Sequence, residues 1–86
     1  MSPKESFVGK FKIAIRPNQE YITLQSLLQI TDIVSTGGMV KVFLMEEEVR
    51  VNGEIENRRG RKLYPGDQVE VLGKTYLIEK QWLLKR

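Results

Sequence analysis

Apolar residues recur with two different periods along this chain. From Lys10 to Arg16 they alternate, with Phe11, Ile13 and Ile15 on one face and Lys10, Lys12, Arg16 and small Ala14 on the other. Period two predicts a half-buried strand, and Pro17-Asn18 ends it. The period then changes to that of a helix. Leu24, Leu27 and Leu28 stand at i, i+3 and i+4, which predicts a short helix from Thr23 to about Ile30 with Thr23 as its N-cap. A second helix is predicted from Ser35 to about Glu47, capped by Ser35 or Thr36. Met39, Val40, Phe43 and Leu44 would form its apolar face, with Lys41 pointing off it.

After Glu47 the period returns to two. Val49-Arg50-Val51, the dipeptide Asn52-Gly53 and Glu54-Ile55-Glu56 read as a tight hairpin. Tyr64-Pro65-Gly66-Asp67 is a turn with Pro at its second position and Gly at its third. Val69 and Val71 mark another strand, and Gly73-Lys74 allows a second hairpin. The last strand is predicted from Thr75 to about Leu83, with Tyr76, Ile78 and Trp82 on one face and Leu77 and Leu83 on the other. This order predicts an α+β fold: two short helices followed by a small, mostly antiparallel sheet, with added N- and C-terminal strands. Residues 1–86 form one domain, and residues 1–6 read as a loose polar tail.

Composition narrows the chemistry. The 86 residues hold no Cys and no His, so disulfides, thiolate catalysis, the commonest general base and the commonest zinc ligand are all excluded. Ser26 and Ser35 have no His to activate them. Glu54 and Glu56 share one face of the hairpin strand and could in principle hold a metal, although solvated carboxylates explain them better. The expectation is a non-enzyme that needs no cofactor. No apolar run reaches the roughly 20 residues that span a bilayer, and the first residues show no apolar signal core, so a cytoplasmic location is expected.

Charge distribution changes the picture further. Fourteen Lys and Arg against 11 Asp and Glu leave a net charge of only +3. Yet Arg58-Arg59-Gly60-Arg61-Lys62 places four cations in five residues, while Glu46-Glu47-Glu48 is a compact acidic run. Such a loop is either an ordinary solvated turn or a surface for a polyanion. Gly37-Gly38 at the second helix start either lets an oxyanion approach free backbone N–H groups or permits tight packing and a sharp turn.

Between Thr23 and Leu72 the chain resembles the αL RNA-binding domain, named after small-subunit ribosomal protein S-four. The resemblance rests on residues in register: the Leu24, Leu27, Leu28 stripe, Ser35-Thr36 at a helix start, Phe43-Leu44, Val49-Arg50-Val51-Asn52-Gly53, and Leu63-Tyr64-Pro65-Gly66-Asp67 before Val69. Gly37-Gly38, the Glu54-x-Glu56 pair and the basic run look like a subgroup of small, free-standing bacterial proteins of this family. The resemblance implies an RNA-facing surface built from Thr36, Gly37, Gly38 and Lys41 on the second helix, Arg50 on the hairpin, and Arg58, Arg59, Arg61 and Lys62 on the loop. It implies structured RNA, of ribosomal or transfer type, as the partner.

The chain departs from the family at Thr23-Leu24-Gln25, where many members have Arg-Leu-Asp. It departs again at Gly37, where many have Arg, and at Glu47, where many have Gly. Binding has therefore either shifted toward the loop or weakened. If about four to six phosphates are neutralised, log K should fall with log salt at a slope of roughly −3 to −5. Tyr64 is the one aromatic residue adjoining the basic loop in sequence, so base reading by stacking is expected to be poor. Two rival readings remain. Double-stranded DNA would satisfy the same phosphate contacts. A protein-interaction adaptor would use the flanking strands, with Trp82 and Leu84 as anchors.

Overall fold

The computed structural model describes residues 10–81. Strand β1 (Lys10–Ile15) leads to a two-residue strand β2 (Ile22–Thr23), helix α1 (Leu24–Ile30) and helix α2 (Gly37–Glu46). Strands β3 (Val49–Val51), β4 (Glu54–Ile55), β5 (Lys62–Leu63), β6 (Gln68–Val71) and β7 (Lys74–Lys80) follow. The fold is α+β, with two helices and a mostly antiparallel, partly mixed sheet.

The larger sheet has the order β1-β7-β6-β3-β4. All its pairs are antiparallel except β1 with β7, which run parallel from Lys10↔Thr75 to Ile15↔Lys80. A second, two-stranded sheet pairs β2 with β5, with Ile22 opposite Leu63 and Thr23 opposite Lys62. No sequence pattern signalled it, because two residues are too few to show a period. The predicted C-terminal strand is described as far as Lys80. Its continuation through Trp82 to Leu83, the Leu84 anchor and the 1–6 tail lie outside the described residues.

Alternation decides which sheet face is buried. Val49, Val51, Val69, Val71, Tyr76 and Ile78 turn inward and meet the Leu24, Leu27, Leu28 stripe of α1 and Val40 and Leu44 of α2. The intervening residues, among them Arg50, Gln68 and Glu70, therefore occupy the opposite face. Tight turns hold the register. Asn52 and Gly53 both have positive φ, 53° and 87°, as a type I′ hairpin demands. The other hairpin turns at Leu72-Gly73, one residue earlier than predicted, which forces Leu72 to a φ of 52°.

Helix α1 begins as expected, with the Thr23 hydroxyl accepting from Ser26 N–H at 3.1 Å. Helix α2 does not. Thr36 occupies its N-cap position but its side chain caps nothing. Met39 is also not core: it is exposed, as are Val42 and Met45, while Val40 and Leu44 carry the burial. No described helix is long and apolar enough to cross a membrane.

Candidate nucleic-acid interface

The basic loop links β4 to β5, and its backbone is tied down at two points within its charged run. The Arg61 carbonyl accepts from Leu24 N–H and the Arg59 carbonyl accepts from Gln25 N–H, each at 2.9 Å. These two bonds and the Thr23 cap satisfy the first N–H groups of α1, which a helix leaves without internal partners. The loop thus completes the helix start, and the helix start fixes the loop backbone.

The side chains are held from below by Glu56. Only 7% exposed, it accepts four hydrogen bonds: from Arg58 N–H at 3.0 Å, Arg58 Nε at 2.9 Å, Arg58 Nη2 at 3.2 Å and Arg61 Nη1 at 2.7 Å. The reading of Glu54 and Glu56 as paired solvated carboxylates is overturned here: Glu54 is exposed, but Glu56 is a buried anion beneath two guanidiniums. Bonds from the Arg58 side chain, helped by its backbone N–H and by Arg61 and opposed by burial, lower the Glu56 pKa from 4.5 to about 2. Burying a carboxylate without such partners would be far more costly.

This arrangement redistributes the charge that the linear sequence displays. Four loop cations against one buried anion leave three net positive charges. Arg50 is also engaged. Its Nε lies 2.5 Å from Glu48 and its Nη1 donates to the Gly53 carbonyl at 3.2 Å. Glu48 therefore belongs to a cation on the outer sheet face. Among the described residues, Lys41, Arg59 and Lys62 make no ion pair.

The helix-start residues and the loop meet through Gln25. A side-chain atom built on Gly37 would come within 3.0 Å of Gln25 Nε2, and Gln25 N–H is bonded to the Arg59 carbonyl. The two helix starts therefore adjoin at Gly37 through the far end of the flexible Gln25 side chain, whereas Gly38 has nothing within 4 Å of the same position. Lys41 stands one turn beyond Gly37 and is exposed. These contacts link Gly37 to the loop through Gln25; Thr36, Gly38 and Lys41 are its neighbours on α2, and Arg58, Arg59, Arg61 and Lys62 lie on the loop itself. Arg50, on the opposite sheet face, is not brought to them.

The β2–β5 pairing adds a residue that sequence reading missed. With Ile22 opposite Leu63, Tyr21 falls beside Tyr64, their ring centroids 5.6 Å apart and tilted by 51°. The Lys62 ammonium lies 5.0 Å from the Tyr21 ring centroid, within cation–π range. Forty-three positions separate the tyrosines in sequence, and only a pairing of two short strands reveals their proximity.

A sequence profile of the S4 domain matches residues 15–79. The chain belongs to the S4-domain family. Within this S4 domain, the match runs from the last residue of β1 to Glu79, one residue short of the end of β7, and includes both helices and the basic loop. The chain is also similar to the probable ribosome maturation protein RlbA of Bacillus subtilis (strain 168). Identity is 57% over 54 residues, covering 63% of this chain and 76% of that protein.

Proposed function

We propose that this S4 domain is a non-catalytic RNA-binding module of the αL type, and that it recognises structured RNA in the cytoplasm through its basic loop and helix starts. One observation carries the reading. The loop backbone is bonded to the start of α1, and through Gln25 it adjoins the start of α2, so unpaired cations and open backbone share one rigid surface. Such a surface suits phosphates fixed in space by a folded RNA, and fixed donors lose little freedom on binding. Similarity to a protein whose name assigns it to ribosome maturation favours ribosomal RNA over transfer RNA.

Lys41, Arg59 and Lys62 are the phosphate ligands in this reading, with the outward edges of Arg58 and Arg61 contributing less because Glu56 shares their charge. About three phosphates then count, and the salt slope falls to roughly −2 to −3, shallower than the four-cation loop alone suggests. The test is the affinity of a labelled ribosomal RNA hairpin for the triple variant K41A/R59A/K62A at low salt. Lys41 and Arg59 make no ion pair among the described residues and Lys62 gives up one exposed cation–π contact with Tyr21, so the fold survives. Affinity should drop at least tenfold and the slope should flatten. Unchanged affinity rejects the reading, and equal affinity for a matched DNA hairpin rejects the RNA assignment.

A second reading, a protein-interaction adaptor, is favoured by the exposed Met39, Val42 and Met45 on α2. Its test is retention of a ribosomal protein partner after nuclease treatment; loss of the partner excludes it.

A further inference from the structure

Resting on the RNA-binding reading, we propose that the cleft between the basic loop and Tyr64 is a subsite for one unpaired nucleotide, its base stacked on the Tyr64 ring and its phosphate on Lys62 and Arg58. The cleft is lined by Arg58, Gly60, Arg61, Lys62, Tyr64 and Asp67 and has a volume of about 570 Å3. That falls within the roughly 300–1,000 Å3 typical of small-ligand sites. It joins the two features a nucleotide needs, cations for the phosphate and an open aromatic face for the base.

The platform is rigid. Tyr64 is 43% exposed, yet its backbone is locked. Its N–H donates to Asp67 Oδ2 at 2.8 Å, and its carbonyl accepts from Asp67 N–H at 2.9 Å. The turn is bolted to β7 by Gly66 N–H to the Ile78 carbonyl at 2.8 Å and by Ile78 N–H to the Asp67 carbonyl at 2.9 Å. Tyr21 supports one side of the Tyr64 ring and holds the Lys62 ammonium nearby. On the other wall, Glu56 fixes both guanidiniums. An exposed aromatic on so constrained a turn is pre-organised for stacking.

The chemistry also says what the cleft reads. Asp67 is its one carboxylate, and both oxygens are occupied, Oδ2 by Tyr64 N–H and Oδ1 by Asn52 Nδ2 at 3.1 Å. Both oxygens are thereby tied to the turn, which leaves the Tyr64 ring face as the main recognition surface, and every base has a π-face. Stacking therefore accepts any base, provided that it is not already stacked and paired within a stem. The subsite selects RNA structure, a bulge or loop nucleotide beside a helix, rather than sequence.

Two fluorescein-labelled RNA hairpins with the same stem test this by anisotropy at low salt, one fully paired and one with a single-nucleotide bulge. The wild-type chain should prefer the bulged hairpin by roughly fivefold or more. Tyr64→Ala should remove that preference and leave affinity for the paired hairpin unchanged. Tyr64→Phe, which keeps the ring, should retain it. Arg59→Ala should weaken both hairpins alike. Equal wild-type affinity for the two RNAs, or a Tyr64→Ala loss shared equally by both, overturns the subsite while leaving RNA binding intact. Failure of the wild type to bind either hairpin overturns the subsite and the RNA-binding reading together.

Discussion

Replacing Glu56 with Gln isolates the anchor of the basic loop. The side chain keeps its size but loses the charge that both guanidiniums surround. Its pKa falls from 4.5 to about 2 on folding, which corresponds to roughly 3 kcal/mol of stabilisation if unscreened. Water reaches the pair from the loop side, where the Arg58 side chain is 73% exposed, so about 1–2 kcal/mol should survive screening. For a domain of this size that is a fall in melting temperature of roughly 5–15 °C at pH 7. The pH dependence has a definite sign. The folded pKa lies below the unfolded one, so the stabilisation is complete above about 4.5 and disappears as pH falls through about 2. Thermal unfolding of wild type and Glu56→Gln, followed by circular dichroism at pH 7 and near pH 2, makes the comparison. The gap between them should be wide at pH 7 and closed near pH 2. Equal melting at pH 7, or a gap of the same size at both pH values, would refute the assignment of Glu56 as a buried ionised anchor.

Other substitutions probe the frame and the surface. Leu72→Asn should raise stability by about 0.5–1 kcal/mol in urea denaturation, because Asn tolerates the positive φ that strains an exposed Leu. Leu63→Ala should lower stability by about 2–5 kcal/mol, since this fully buried side chain ties β5 to the core. Gly38→Ala should separate two readouts: open space around it predicts unchanged or slightly higher stability, by up to ~1 kcal/mol, while the added methyl group keeps a phosphate from the backbone and lowers RNA affinity.

Much of the frame was legible because local patterns carry it. The Leu24, Leu27, Leu28 stripe, the Thr23 cap and Asn52-Gly53 are signals written within a few residues, and each appears as read. Met39 misled because helical spacing cannot say which edge of an apolar stripe meets the core. The candidate site was legible as a list of cations but not as a charge distribution. Arg58 and Arg61 lie two and five residues from Glu56, and nothing in that spacing says that the carboxylate turns inward beneath them. The family resemblance groups Arg50 with the loop, whereas strand alternation turns it to the far face. Tyr21 was invisible because its partner is reached through the pairing of β2 with β5, a tertiary contact with no period of its own.

The parallel pairing of β1 with β7 sets an order on synthesis. Lys10 is bonded into register with Thr75, so β1 emerges from the ribosome 65 residues ahead of the strand that it pairs with. Closing so long a loop is slow compared with forming the helices and the Asn52-Gly53 hairpin. The helix starts, the loop and β3 to β6 are all translated before β7. During translation, then, the helix starts and the loop can take shape while the sheet still lacks β7, the strand that joins β1 to β6, and β1 must be kept from other partners until β7 arrives.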